Sequence, residues 1–244
     1  MSQTMSQKMQ NIEAVFFDLD GTLMDTASDF INVMHQMQTL DQKPLIDPEI
    51  IYKHVSEGSR KMVELAYQLA PGTQELEEKR NIFLDCYDRH IKRVDRASPA
   101  MLYPGISKLL KNLEEKNIVW GVITNKPADY ASLLIEQNGL KERSQTLICP
   151  DHVSRNKPDP ESLLLACQQT GTSPENCLYV GDHFRDIEAG RAAGMTTIAA
   201  LYGYITDDDN PASWQADHYI NQASEILPLL ESMEWQLPRR NPDV

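Results

Sequence analysis

The chain belongs to the α/β class: a parallel sheet with helices on both faces, plus an all-helical insertion after the first strand. Three observations predict this. From about residue 99 onward, short apolar runs alternate with segments of helical period. A β-α-β-α order requires parallel strands joined by crossover helices. Between residues 27 and 98 there is no strand-like run, and the apolar residues keep helical spacing.

The first strand is the run Ala14-Val15-Phe16-Phe17. The insertion follows, with Phe30, Val33, Met34 and Met37, then Ile50, Ile51, His54 and Val55. Met62, Val63, Leu65 and Ala66 continue it, and Ile82, Phe83, Cys86 and Tyr87 close it. Residues 105–116 carry Ile106, Leu109, Leu110 and Leu113 on one helical face, and residues 118–123 read as the next strand. A helix over 128–137 stops at Gly139, a short strand covers 147–149, and a helix over 160–169 closes at Gly171. Strand 177–180, a helix over 185–193 ending at Gly194, and strand 196–200 complete the regular part. A last strand is expected at 217–220 and a last helix at 223–233. The result is a Rossmann-like domain over 11–26 and 99–236, interrupted by a helical domain over 27–98. Residues 1–10 read as a disordered leader and 237–244 as a frayed tail.

At 244 residues the chain can bury a substantial core, and 41% apolar residues is ordinary for a globular protein. Its net charge of −13 argues against nucleic acid and anionic membrane as partners. Small anionic substrates stay open, because a local cation inverts the field. The cysteines, Cys86, Cys149, Cys167 and Cys177, show no C-x-x-C spacing and read as small buried hydrophobes in a reducing compartment. No apolar stretch approaches the ~20 residues of a membrane span, and residues 1–10 lack the apolar core of a signal peptide. A cytoplasmic location is expected, as a monomer or homodimer.

Four strand ends carry polar groups. Asp18 and Asp20 follow the first strand, and Thr124-Asn125-Lys126 follow the second. The third is the loop holding Lys157-Pro158-Asp159-Pro160, and the fourth is Gly181-Asp182, with Asp186 four residues on. In a parallel sheet these ends share one edge, where ligands bind. Acids beside an apolar core are costly unless a cation or a reaction needs them there. Phosphate-ester cleavage fits. A carboxylate nucleophile divides the displacement into two steps. A second carboxyl can protonate the leaving oxygen and then activate water. Phosphate will not approach several carboxylates unaided, so a hard divalent cation is implied, magnesium by its oxygen ligands. Thr124 and Asn125 could hold phosphoryl oxygens, and Lys157 would offset charge.

Each residue also has a plainer reading. A calcium loop fails on spacing, because Thr22 and Leu23 stand where an acid and a glycine belong. Asp25 reads as the N-cap of the first inserted helix. Asn125 is as well suited to cap the helix near residue 128. Asp186 could merely hold a helix start. His183 reads as a rim residue, Asp207-Asp208-Asp209 as a solvated turn, and Trp120, Trp214 and Trp235 as packing. Ser56-Glu57-Gly58-Ser59-Arg60 is either an ordinary loop or one that sets specificity, with Arg60 reaching a substrate carboxylate.

The segments Asp18-x-Asp20-Gly21-Thr22-Leu23, Thr124-Asn125, Lys157-Pro158 and Gly181-Asp182-x-x-x-Asp186 resemble the four motifs of haloacid dehalogenase-like phosphatases. That resemblance implies Asp18 as nucleophile and Asp20 as acid/base. It implies magnesium (Mg2+) on Asp18, the Asp20 carbonyl and Asp182, assisted by Asp186, with Thr124 and Lys157 on the phosphoryl group. The helical insertion would be a cap closing over substrate, hinged near Thr26 and Ala97. Within the superfamily the chain is similar to the phosphoglycolate phosphatase-like branch. More narrowly it looks like the N-acetylmuramic acid 6-phosphate phosphatases, through residues 120–127, 148–153, Tyr202-Gly203-Tyr204-Ile205, Asp209-Asn210-Pro211 and Trp214. The implied substrate is a small phosphorylated, carboxylated molecule: N-acetylmuramic acid 6-phosphate first, 2-phosphoglycolate second. A sugar phosphomutase is a third reading.

Overall fold

The computed structural model describes residues 12–93 and 97–232. The expected leader, the tail and Trp235 lie outside these residues. A six-stranded sheet runs through the molecule. Its strands are β1 (Ala14–Phe17), β4 (Val119–Ile123), β5 (Leu147–Ile148), β6 (Cys177–Gly181), β7 (Thr196–Ala200) and β8 (His218–Ile220). Their spatial order is β5-β4-β1-β6-β7-β8, and every pairing is parallel. The first strand in sequence is therefore central, flanked by β4 and β6, so three of the polar strand ends are direct neighbours.

All four residues of β1 are buried, as a strand covered on both faces requires. Val15 and Phe17 point to one face, where α5 (Ile106–Glu115), α6 (Ala128–Gln137) and α9 (Ile226–Ser232) pack. Ala14 and Phe16 point to the other, against α7 (Glu161–Thr170) and α8 (Phe184–Ala193). The alternation follows from the period-2 pleat. The expected last helix starts as a 3-10 turn, Ala223–Glu225, before turning α-helical.

The insertion consists of α1 (Ala27–Leu40), α2 (Pro48–Lys53), α3 (Ser59–Tyr67) and α4 (Gln74–Ile91), with a 3-10 turn at Val55–Glu57. These helices have their own apolar core, including Phe30, Met34, Ile51, Met62, Phe83 and Tyr87. Two short strands, β2 (Met24–Asp25) and β3 (Met101–Leu102), pair antiparallel where the chain leaves and re-enters the sheet domain. This ribbon was not anticipated, because two-residue strands carry no periodicity. Thr26, not Asp25, is the N-cap of α1. Asp25 accepts from Ala27 N (3.1 Å) one residue further out and also takes the Tyr204 hydroxyl (2.8 Å). Thr26 uses its own hydroxyl elsewhere.

Among the described residues, no helix is long and apolar enough to cross a membrane. Cys149, Cys167 and Cys177 are buried, whereas Cys86 is only partly so.

Candidate active site

The carboxyl ends of the central strands enclose a cavity of about 400 Å³, roofed by the helical insertion. Strand β1 delivers Asp18 to its floor. Lys157, from the loop after β5, places Nζ 2.7 Å from Asp18 Oδ1 and 2.6 Å from Asp186 Oδ1. The same ammonium donates to the Tyr179 hydroxyl (2.7 Å) and the Ile123 carbonyl (3.1 Å). Burial works against the charge on Lys157, but the two carboxylates push it above its ordinary value. Burial raises the Asp18 carboxyl to about 7, with Asp186 and Asp20 adding to the rise and Lys157 resisting it.

Asp182 follows β6 and is fully buried. Its carboxylate accepts from Thr22 Oγ1 (3.2 Å), Ser56 Oγ (2.9 Å) and Tyr204 N (2.8 Å). Burial nevertheless holds its carboxyl well above the usual range. Carboxylate oxygens of Asp18, Asp182 and Asp186 all lie within 4.8 Å of one another. Three buried acids around one lysine leave excess negative charge, which favours a cation among them. The donor set is all oxygen and suits a hard divalent ion such as magnesium. Asp186 has both oxygens engaged, because Lys157 takes Oδ1 and His183 N donates to Oδ2 (3.2 Å).

Two glycines allow this crowding. A Cβ on Gly21, whose φ is +81°, would stand 2.0 Å from Asp182 Oδ2. A Cβ on Gly203 would stand 2.2 Å from Asp182 Cβ.

Asp20 Oδ1 accepts from Lys126 Nζ (2.8 Å) and from Thr26 Oγ1 (2.5 Å). The Lys126 ammonium is buried beneath the rings of Phe30 and Tyr87, with centroids at 4.7 and 5.4 Å. Thr124 Oγ1 lines the cavity and accepts from Lys126 N (3.0 Å). Asn125 does not cap α6; Asp151 does so, accepting from Ala128 N at 2.8 Å. Asn125 brackets the backbone of Lys157 instead, with Nδ2 to its carbonyl (3.1 Å) and Oδ1 from its N–H (3.2 Å).

His183 is buried rather than on a rim. It is the N-cap of α8, its Nδ1 accepts from Arg185 N (3.2 Å), and burial lowers it to about 4. The loop 56–60 does face the cavity. Arg60 grips Glu77 through Nε (2.6 Å) and Nη2 (3.1 Å) and remains largely exposed. Arg80, which the sequence did not single out, lines the same wall and donates to Ser59 Oγ (3.1 Å). The insertion also grips the sheet domain: Arg185 donates to the Ser56 carbonyl, and Lys53 pairs with Asp207 (2.8 Å). The turn 207–209 is thus partly engaged, and Trp214 bonds Asp209 (3.0 Å). Trp120 is core, its Nε1 donating to Glu114 (3.0 Å).

Sequence reading brought together Asp18, Asp20, Thr124, Lys157, Asp182 and Asp186 correctly in space. It named Lys126 at a strand end and Ser56 in a candidate specificity loop without a role for either side chain, and it read Tyr87 as helical packing alone. Lys126 had a signal in its place directly after Thr124-Asn125 and Ser56 in the glycine-containing loop, whereas Tyr87 had none beyond helical periodicity.

A strand-end nucleophile candidate, a buried lysine and an acidic cluster on a parallel α/β sheet define an enzyme that hydrolyses phosphate esters. The sequence profile described as haloacid dehalogenase-like hydrolase matches residues 15–200, and the chain belongs to that family. It is 44% identical to the N-acetylmuramic acid 6-phosphate phosphatase of Pseudomonas aeruginosa, over 92% of this chain and 97% of that one. It is 38% identical to a phosphoglycolate phosphatase of Xanthomonas campestris pv. campestris, over 92% and 98%. A crystal structure from Lactobacillus delbrueckii subsp. bulgaricus shares the fold, with a TM-score of 0.77 at 23% identity, covering 94% of this chain and 100% of that one. The protein is a phosphatase of this family.

Proposed function

We propose that the protein is a magnesium-dependent phosphomonoesterase working through an aspartyl phosphate on Asp18, with N-acetylmuramic acid 6-phosphate as its substrate. The observation that carries the mechanism is the position of Lys157 Nζ, 2.7 Å from Asp18 Oδ1 inside the acidic cluster. The free Asp18 oxygen attacks phosphorus, and the bond from phosphorus to the ester oxygen breaks. Asp20 gives its proton to that departing oxygen. Asp20, now a carboxylate, takes a proton from water, whose oxygen attacks the phosphorus on Asp18. Phosphate leaves and Asp18 is restored.

Thr124 accepts from Lys126 N, which leaves its hydroxyl proton for a phosphoryl oxygen. Lys157 neutralises charge as it gathers on Asp18 and the phosphoryl oxygens. Asn125 supports the reaction by fixing the Lys157 loop. Asp18, the Asp20 carbonyl and Asp182 would hold magnesium, with Asp186 completing the negative field. When bound, that ion offsets the charge which nucleophile and phosphate bring together. The helical insertion acts as a cap over residues 27–98, and its Ser56 contact with Asp182 supports that reading.

The substrate choice rests on 44% identity over nearly the whole of both chains, against 38% for the phosphoglycolate phosphatase. 2-Phosphoglycolate is the second reading, supported by Arg60 and Arg80 at the cavity wall. Phosphate release from N-acetylmuramic acid 6-phosphate, 2-phosphoglycolate and hexose phosphates, with and without magnesium, tests this. The muramic ester should show the highest kcat/KM. A higher value for 2-phosphoglycolate would reverse the order, and isomerised hexose phosphate without free phosphate would mean a mutase.

A further inference from the structure

Two of the four cysteines meet in the core. Cys167 stands in α7 and Cys177 opens β6, and their Sγ atoms lie 3.8 Å apart. Ten residues separate them in sequence, a spacing that matches no redox motif. Both are buried in the apolar cluster of Ala14, Phe16 and Tyr179: Cys167 is 4% exposed and Cys177 not at all. The segment between them is pinned. Thr172 N donates to the Cys167 carbonyl (3.1 Å), and Glu13 accepts from Ser173 N (2.7 Å) and Asn176 Nδ2 (3.0 Å). The two sulfurs are therefore held side by side by the fold. A disulfide sets its sulfurs about 2 Å apart, so the gap left to close is about 1.8 Å.

The contact gives the two thiols different chemistry. A hydrogen bond from Cys177 holds the Cys167 thiol below its ordinary value, and the same bond, with burial, pushes Cys177 up. The thiolate is the reactive form, so Cys167 reacts first and Cys177 is the partner beside it. Cys149 differs, because burial pushes it up to about 12.

We infer that Cys167 and Cys177 form a reversible dithiol–disulfide site, which a peroxide closes into an intrachain bond while phosphate-ester hydrolysis continues. The Cys167 thiolate attacks one oxygen of hydrogen peroxide. The O–O bond breaks, hydroxide leaves and takes up the proton that Cys167 had released, and a sulfenic acid remains on Cys167. The Cys177 sulfur then attacks the sulfenic sulfur. The S–O bond breaks, and that hydroxyl departs as water with the Cys177 proton. Two thiols are oxidised and one peroxide is reduced to two waters. A dithiol reductant reverses the bond by exchange. A sulfenic sulfur with no partner at contact distance can be carried on to irreversible acids, and a charged group would be costly in this core. The pair spares the core that fate. Its place also separates it from catalysis. Cys177 begins its strand at the amino edge of the sheet, and Asp182 lies five residues on, roughly 16 Å away at the opposite edge.

Hydrogen peroxide is the probe, applied to the folded full chain with magnesium present. Residual peroxide is destroyed, free thiols are alkylated in denaturant, and the digested peptides are weighed. The peptides bearing Cys167 and Cys177 should appear joined, two hydrogens lighter than their sum, with Cys149 still free. Dithiothreitol should return all four thiols. Cys86→Ala protein should form the same bond at the same rate. Its kcat for an aryl phosphate should stay within about twofold after the bond forms, as expected for distant sites. A Cys167 and Cys177 pair that stays free while Cys86 is consumed would overturn the inference. So would a sulfenic or sulfinic acid on Cys167 with no joined peptide, or a bond between two chains in place of the internal one. Hydrolysis lost in step with bond formation would overturn the independence of this site from the cavity. The peptide masses are read without turnover, so they stand or fall apart from the function proposed above.

Discussion

Lys126 Nζ sits 2.8 Å from Asp20 Oδ1 and under the rings of Phe30 and Tyr87. The pair links the ends of β1 and β4, while both rings belong to the insertion. The carboxyl assigned to proton transfer is therefore anchored by a cation whose shelter comes from the insertion. In the proposed reading of the insertion as a cap, its closure and the orientation of Asp20 would be one event.

Lys126→Met keeps the apolar stem beneath the rings and removes the charge. Asp20 then retains Thr26 Oγ1 as its anchor. We expect kcat to fall about 10- to 100-fold, within the range for misplacing an acid/base group. KM for the phosphate ester should change less. Steady-state kinetics decides it, and an unchanged kcat would detach Lys126 from Asp20 function.

Asp18 yields a pH prediction for protein stripped of divalent ions. Its carboxyl sits near 7, chiefly through burial, against 3.8 ordinarily. A raised carboxyl costs nothing at pH values below 3.8, where both folded and unfolded states are protonated. The cost builds between about pH 4 and 7 and is fully present above 7. Stability at pH 8 should therefore be lower than at pH 5 by an amount on the order of 2–4 kcal/mol. Thermal melts in chelator should show the decline, Asp18→Asn should flatten it, and magnesium should raise the melting temperature more at pH 8 than at pH 5. Asp18→Asn should also abolish phosphate release. Retained turnover would remove the proposed nucleophile.

The four strand ends were legible because runs such as residues 14–17 and 177–180 are apolar on both faces, and their order forces a parallel sheet. Convergence of Asp18, Thr124, Lys157 and Asp182 then follows from topology. Contacts made by the insertion were not legible. Lys126 meets rings at positions 30 and 87, and Ser56 meets Asp182; no local pattern encodes separations of that size. His183 looked peripheral because a polar residue after a strand usually is. It is buried as the N-cap of α8.

Asp182 is one of the acids proposed to hold magnesium. Chelation should stop hydrolysis and magnesium should restore it. Asp182→Asn keeps the shape but halves the negative oxygen set, so the magnesium concentration for half-maximal rate should rise at least about tenfold. Magnesium titrations of phosphate release measure this, and an unaltered titration would place the ion elsewhere.

Arg60 separates two roles. Its pairing with Glu77 could be all it does, or it could turn to a substrate carboxylate at the cavity wall. Arg60→Ala should raise KM for 2-phosphoglycolate more than for an aryl phosphate, by about fivefold or more. Equal changes would leave it the structural role alone.

Gly203 tests whether the acidic cluster depends on backbone fit. An added Cβ would lie 2.2 Å from Asp182 Cβ and 2.4 Å from the Gly21 carbonyl. Neither neighbour is the free end of a flexible side chain, so the loop after β7 must move away. That motion pulls Tyr204 N from Asp182 Oδ2, now 2.8 Å apart, and loosens the hydroxyl contacts by which Tyr204 holds Thr26 N (2.6 Å) and Asp25 (2.8 Å). Gly203→Ala should cost about 1–3 kcal/mol, roughly 2–12 °C of melting temperature, and weaken the magnesium response as well. Gly194→Asn is the fitting comparison. Its φ of +80° also favours glycine, but nothing stands within 4 Å of its missing Cβ, and asparagine tolerates that backbone. It should lose little stability and leave the magnesium titration alone. If the two variants behave alike, close packing around Asp182 is not what positions the cluster.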